Sequence, residues 1–300
     1  MFQTNLNHAR QNNGQWATDN GQWNKIPFAV ISTHRENRML NTFRNNWINY
    51  LIEAAGLGFF MVSAAVFATI LYHPDFVGQK IQTPLLRDWL MGLAMGLTLI
   101  AIVYSPFGKR SGAHINPSAT LTFFLLGKIH KHDAMFYALF QFIGGLCGVL
   151  LSALILGKAI EHPSVNYVVT VPGKQGLAIA FIAEMLMSFI NFTVVLYVSN
   201  NEKISHLTGI FIAILVMLYI TFEAPLSGFS VNPARTFASA LPANVWTGFW
   251  IYVTAPPLGM LLAAETYCRV RGKENVACAK LHHKNNKPCI FCKFQMGLSD

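Results

Sequence analysis

Long apolar runs alternate with short polar breaks along the whole chain, and the runs have membrane length. Six can be drawn, at about 47–72, 88–107, 133–157, 176–199, 205–224 and 245–268. Each is close to the roughly 20 residues a helix needs to cross a hydrocarbon core. Residues 1–45 are polar, rich in Asn and Gln, and basic. They lack the pattern of a secretory signal, so the first apolar run is expected to be a retained span. The pattern divides the chain into a polar N-terminal tail (1–45), a membrane domain (46–268) and a basic C-terminal tail (269–300). It predicts an all-α membrane protein with six transmembrane helices.

Two further apolar segments do not fit a simple six-helix count. Residues 111–126 (SGAHINPSATLTFFLL) and 227–241 (SGFSVNPARTFASAL) are too short to span. They match each other at Ser111/Ser227, Gly112/Gly228, Asn116/Asn232, Pro117/Pro233 and Thr120/Thr236, and each follows the second span of a three-span half. Glu53 and Glu184 sit at similar places in the first span of each half. An odd number of spans per half inverts one half relative to the other, as in transport folds built from interrupted helices.

Composition supports this picture. Hydrophobic residues make up 53% of the chain and charged residues 12%, against about 25% charged in soluble domains. The formal net charge of +9 could suggest a nucleic-acid partner, but its placement argues otherwise. Arg10, Lys25, Arg35, Arg38 and Arg44 precede the first span, and Arg269, Arg271, Lys273, Lys280, Lys284, Lys287 and Lys293 follow the last, together 12 of the 22 Lys and Arg residues. The positive-inside rule puts both tails in the cytoplasm, which requires an even number of spans. The basic excess reports topology, and no nucleic-acid partner is expected. A plasma membrane or bacterial inner membrane fits best.

The repeated segment carries chemistry. Asn caps a helix by accepting a backbone N–H bond through its side-chain oxygen, and Pro suits the first helical position. The carboxamide NH2 stays free to donate. Non-helical backbone at membrane depth survives only when buried in protein or lining a wet cavity. Two inverted half-helices entering from opposite faces would bring Asn116 and Asn232 together near the midplane, with both positive dipole ends aimed at one water. A water accepting from both amides turns its hydrogens outward, which interrupts a proton wire, and the dipoles repel cations.

At this point the residues resemble a known family. SGAHINPSAT and SGFSVNPARTF look like the paired Asn-Pro-Ala boxes of the aquaporins, or major intrinsic proteins, and the likeness extends over about 47–268. Glu53, Glu184, the Gln141–Gly145 stretch and Pro256–Gly259 add to it. The boxes read Asn116-Pro117-Ser118 and Asn232-Pro233-Ala234; Ser118 departs from the usual alanine and puts a hydroxyl near the expected pore. The resemblance implies six transmembrane helices plus two re-entrant half-helices in an inverted repeat, assembled as a homotetramer in a lipid bilayer. It implies a passive channel for water and small neutral solutes that excludes protons and ions, with no enzymatic activity and no cofactor. By the same resemblance Arg235 is the arginine of the selectivity constriction, with Phe229, Ile220 and either Met95 or Gly96 as its other members.

This quartet points two ways. Water channels of the family usually have histidine where Ile220 stands and a small residue where Phe229 stands, while Phe there resembles glycerol channels. Those in turn carry Asp in place of Thr236, a basic residue in place of Ala240, and Pro-Leu in place of Tyr252-Val253. The box surroundings favour water, and a glycerol, urea or ammonia facilitator is the alternative. An ion-coupled transporter ranks lower, because Glu223 and Arg235 are the ionisable candidates beside the expected pore.

Glu53 and Glu184 read either as a proton relay or as acceptors for backbone N–H groups of the re-entrant loops; their symmetry favours the second. Glu223 lies three residues beyond Ile220 on the same helical face and is expected to be solvated or vestibular. The C-terminal tail holds Cys278, His282, His283, Cys289 and Cys292, soft ligands at spacings that could close a tetrahedral zinc site in a flexible tail. The spacing matches no standard zinc finger, so free thiols are the expected reading and metal binding the alternative. Asn-Gly-Gln-Trp occurs twice, at 13–16 and 20–23, in a segment expected to be disordered, with Trp16 and Trp23 as weak interfacial anchors.

Overall fold

The computed structural model describes residues 28–292 and two short strands ahead of them, with side chains described from Arg38 onward except at Gln79. The chain forms two compact units that meet in sequence at Asn45 and Asn46. In the first unit, β1 (Trp16–Asp19) and β2 (Gln22–Lys25) pair antiparallel, with Trp16 opposite Lys25 and Asp19 opposite Gln22. The expectation of disorder is corrected at Trp16, Gln22 and Trp23; the remaining residues of the two Asn-Gly-Gln-Trp copies lie outside the described residues. The sequence between the strands is Asn20-Gly21, the dipeptide most favoured in two-residue hairpin connections. The side chains of Trp16 and Trp23 lie outside the described ones.

Eight helices of nine residues or more follow among the described residues. They are α1 (Phe28–Tyr72), α2 (Pro84–Tyr104), α3 (Pro117–Leu125), α4 (Lys131–Leu156), α5 (Leu177–Ser199), α6 (Thr208–Phe222), α7 (Pro233–Ala243) and α8 (Phe249–Arg271). Stretches of α1, α2, α4, α5 and α6 are long and apolar enough to cross a bilayer. The expected sixth span, α8, has 23 residues but is less apolar, since it carries Pro256, Pro257, Glu265, Arg269 and Arg271. The half-helices α3 and α7 each start at a proline whose preceding asparagine is the N-cap.

Packing repeats as the sequence does. Helix α5 lies along α8, as α1 lies along α4; α2 crosses α6, α7 packs on α4, and α3 packs on α8. The paired crossings run backbone to backbone at glycines. A Cβ on Gly144 would collide with the Ala54 backbone, and one on Gly259 with the Met185 carbonyl. With lipid outside there is little hydrophobic drive to bring helices together, so close approach at small residues holds them.

The polarity of the bundle is inverted relative to a soluble protein. Leu154 is 82% exposed and Ile155 64%, while Glu53, Gln141, Glu184 and Ser188 are fully buried. Such a large apolar exterior, with charged and polar groups buried among an otherwise apolar interior, fits a hydrocarbon surround.

Candidate functional site

The two re-entrant loops are held by the two buried carboxylates. Glu53 Oε1 accepts from Ser111 Oγ at 2.7 Å and from the His114 N–H at 3.1 Å; its Oε2 accepts from the Ile115 N–H at 2.6 Å and Gln141 Nε2 at 2.8 Å. Glu184 repeats this in the other half, with Oε1 accepting from Ser227 Oγ at 2.8 Å and the Ser230 N–H at 2.7 Å, and Oε2 from the Val231 N–H at 2.7 Å. Tyr137 and Tyr252 hydroxyls donate to the carbonyls of Ser111 and Ser227. Irregular backbone buried at this depth leaves N–H groups that need acceptors, and each carboxylate supplies two oxygens to them.

The loops need these ties because their backbone is unusual. Gly112 and Gly228 have φ of 103° and 81°, where a side chain would be strained. Ala113, Ile115, Phe229 and Val231 also have positive φ, at 56°, 40°, 50° and 48°. Non-glycine residues hold this region only when their surroundings over-determine it.

At the loop ends the asparagines meet. Asn116 Oδ1 accepts from the Ser118 N–H at 2.9 Å, and Asn232 Oδ1 from the N–H groups of Ala234 and Arg235 at 3.1 and 3.3 Å. Their amide nitrogens reach across to the opposite half. Asn116 Nδ2 donates to the Val231 carbonyl at 2.7 Å, and Asn232 Nδ2 to the Ile115 carbonyl at 2.8 Å. Each amide therefore spends one hydrogen locking the two loops together and keeps one. Sequence reasoning left both hydrogens free; the cross-bond depends on a contact between residues more than a hundred positions apart.

A cavity of about 90 Å³ runs past this pair, room for a few waters. Its walls include Leu57, Leu99, Val195, Ile212, Val216 and Met260, with Asn116, Asn232 and Arg235 as polar points. A second cavity, of about 290 Å³, lies on the side of Met95, Ile220 and Asp88. Phe60, Phe229 and Arg235 line both cavities and so form the neck between them. Arg235 Nη1 donates to the Val168 carbonyl at 2.8 Å, which holds the guanidinium at the neck.

Sequence-derived positions sort accordingly. Met95 and Ile220 face the second cavity, whereas Gly96 does not line it: its Cα turns toward Ala213, whose carbonyl oxygen a Cβ would meet at 3.0 Å. Phe60 was missed, because nothing in the run distinguishes it from its half-exposed neighbour Phe59; only the rotation of α1 does. The Ser118 hydroxyl, expected near the pore, is buried without a hydrogen-bond partner and does not line the cavity. Glu223, expected to be solvated or vestibular, instead has both carboxylate oxygens shut away from solvent, and no ion pair joins it to Arg235 among the described residues. Glu223 is the C-cap of α6 and the N-cap of the short turn Ala224–Ser227.

The C-terminal tail, expected to be flexible, packs against the bundle from Val276 to Phe291. Cys278, His283, Cys289 and Cys292 come together, their ligand atoms all within 4.8 Å of one another. His282 is outside the group. It and His283 diverge on non-helical chain, and its ring packs edge-on to Tyr104 at 5.2 Å. Leu281, from the same segment, lines the cavity beside His114.

Comparison with known proteins agrees with this geometry. The sequence profile of the family described as Major intrinsic protein matches residues 42–267. Aquaporin NIP2-3 of Zea mays is 29% identical over 288 residues, covering 84% of this chain and 90% of the relative. Aquaporin NIP6-1 of Arabidopsis thaliana is 35% identical over 188 residues, or 61% of this chain and 59% of the relative. In fold, the X-ray structure of the aquaglyceroporin from Plasmodium falciparum superposes with a TM-score of 0.62 at 19% identity, covering 74% of this chain and 96% of that one.

Proposed function

The chain belongs to the major intrinsic protein family and is a passive membrane channel rather than an enzyme, and on that premise we propose that its pore conducts water first and excludes protons and ions. The observation that carries this reading is the reciprocal asparagine pair. One hydrogen of each amide fixes the opposite loop, so the remaining donors are held in place from both sides of the cavity. A water between them accepts twice and turns its own hydrogens outward, toward either mouth. The chain of donors and acceptors a proton needs is thereby broken at the waist. The N-terminal ends of α3 and α7 both face this point, and their partial positive charge opposes cations. Arg235 adds a full positive charge at the neck, where a permeating molecule has shed most of its hydration.

A second reading is favoured by the neck itself. Phe60 and Phe229 flank Arg235, and Met95 and Ile220 line the cavity beyond, so few polar groups there replace the hydration of a solute. Such a neck penalises a solute with many hydroxyls less by contact than by lost hydrogen bonds. Small, weakly hydrated neutral molecules such as ammonia or urea are the solutes it suits after water. Both tails are assigned to the cytoplasmic side from their basic charge, and assembly as a homotetramer completes the proposal.

The test is stopped-flow light scattering on proteoliposomes, with the full chain and with a chain ending at Asn275. Water entry above that of empty liposomes, with no dissipation of a pH gradient, is the expected result. Absence of water, glycerol, urea and ammonia flux in both forms would refute the channel assignment for this pore. Arg235→Ala should raise urea and glycerol flux relative to water; an unchanged ratio would remove Arg235 from the constriction.

A further inference from the structure

Three cysteines and a histidine gather on the tail-side face, outside the bundle, and the pore does not use them. Cys278 Sγ lies 3.5 Å from Cys289 Sγ and 3.6 Å from Cys292 Sγ, and Cys292 Sγ lies 3.6 Å from His283 Nε2. Zn–S bonds of about 2.3 Å and Zn–N bonds of about 2.0–2.1 Å in a tetrahedron give edges of about 3.8 Å between sulfurs and about 3.5 Å from sulfur to nitrogen. The three edges above are close to these lengths, and all four ligand atoms lie within 4.8 Å of one another, as a four-coordinate site requires. Three sulfurs and one imidazole are a soft donor set, which suits zinc over magnesium or calcium.

A second observation concerns the frame that holds the ligands. Lys280 is 1% exposed, and its ammonium donates to three carbonyls, of Lys109 at 2.8 Å, Pro288 at 2.8 Å and Lys287 at 3.4 Å. It makes no ion pair with a carboxylate among the described residues. The bonds to carbonyls tie the stretch after Cys278 to the stretch before Cys289 and both to the Lys109 carbonyl, so the ligand-bearing chain is fixed in place.

The third observation is where the cluster puts the chain. The segment between its first two ligands inserts toward the pore. The Leu281 N–H donates to the Gly112 carbonyl at 3.2 Å, and the Ala279 carbonyl is 2.6 Å from His114 Nε2. Between the last two ligands, Phe291 stacks on the His114 ring at 5.5 Å and 8°. Ala277 N–H and Lys284 Nζ reach Asn200 Oδ1 and the Glu202 carbonyl, beyond the end of α5. The segment thus ties to the loops before α3 and after α5, with Leu281 at the end of the cavity between them.

We propose that Cys278, His283, Cys289 and Cys292 bind one zinc ion, and that the loaded site holds residues 276–292 as a cap closing the tail-side mouth of the pore with Leu281. Zinc binding stands on the tail alone; the closing role rests on the channel reading above. The lone exposed ligand, Cys292, gives the metal and chelators their approach.

The full chain, purified without added metal, is assayed for zinc by mass spectrometry and for water flux before and after a membrane-permeant zinc chelator. One zinc per chain, retained in His282→Ala and lost in Cys289→Ser and His283→Ala, is expected. Flux should rise several-fold on chelation, and rise equally without chelation in Leu281→Ala, which keeps its zinc. The chain ending at Asn275 should conduct at the higher level, insensitive to chelator. No zinc in the wild type, or unchanged zinc in both ligand variants, overturns the site. Zinc retained with flux indifferent to chelator, to Leu281→Ala and to truncation overturns the cap. If neither the full chain, with or without chelator, nor the truncated chain conducts, the channel reading fails while the zinc stoichiometry still decides the site; a full chain that conducts beside a truncated chain that does not overturns the cap.

Discussion

Replacing Glu53 or Glu184 with glutamine exchanges one carboxylate oxygen for an NH2 group and should cost each loop much of its support. In both residues each carboxylate oxygen accepts at least one backbone N–H: His114 and Ile115 on Glu53, Ser230 and Val231 on Glu184. A glutamine side chain keeps one oxygen and gains an NH2. Whichever way the amide flips, the NH2 faces a backbone N–H, donor against donor, in a fully buried site. One buried N–H left unsatisfied costs about 1–3 kcal/mol, and the displaced contact adds to it, so a loss of about 2–4 kcal/mol is expected. For a domain of this size that corresponds to a fall of roughly 5–15 °C in melting temperature. Thermal unfolding of detergent-solubilised Glu53→Gln and Glu184→Gln, followed by intrinsic fluorescence, measures it. Glu265→Gln is the control: its only recorded ion pair is exposed, to Arg269 one turn on, and such pairs are worth about 0–1 kcal/mol. Melting temperatures of both buried variants within error of that control would refute the acceptor role. A fall in only one of them would refute the equivalence of the two halves.

Other substitutions probe the neck, the waist and the frame. Phe60→Ala, with Arg235 intact, should raise urea flux relative to water in proteoliposomes; an unchanged ratio would place Phe60 outside the neck. Asn116→Ala removes a helix cap, worth about 1 kcal/mol, and orphans the Val231 carbonyl. It should lower the melting temperature and increase proton leak, measured with a trapped pH dye. Gly259→Val drives a side chain into the Met185 carbonyl, and should abolish monodisperse protein in size-exclusion chromatography. Chelation of zinc should leave the melting temperature of the membrane bundle in place while raising flux, because the ligands lie outside its helices.

What the sequence made legible was what repeats. The six runs, both half-helices and the paired carboxylates are local patterns or copies of one another, and a pattern present twice is hard to produce by chance. What escaped it depended on rotation and on distant contact. Phe60 differs from Phe59 only in which way α1 turns it, and Gly96 differs from Met95 only in facing α6 rather than the cavity. The amide cross-bonds to Val231 and Ile115 require both halves to be assembled before they exist. In the tail, adjacent histidines look equivalent in the chain, yet only His283 turns toward the sulfurs.

The inverted repeat also shows where the two mouths of the channel part company. Under the match that pairs Ser111 with Ser227 and Asn116 with Asn232, Phe229 corresponds to Ala113 and Arg235 to Ala119. One half thus builds a neck from a large ring and a guanidinium, and the other has a methyl group at each equivalent place. Ala113 and Ala119 both line the cavity on the side where Leu281 enters it. Two side chains of the size found in the other half would occupy that space. The small residues leave an opening that the first half cannot filter by itself, and the C-terminal segment supplies an apolar side chain to it. Symmetry therefore sets the waist, where both halves contribute alike, while the large ring and the guanidinium are confined to the half carrying Arg235. In the proposal above, it is the opposite mouth, with alanines at those two places, that is closed by a part of the chain the repeat does not contain.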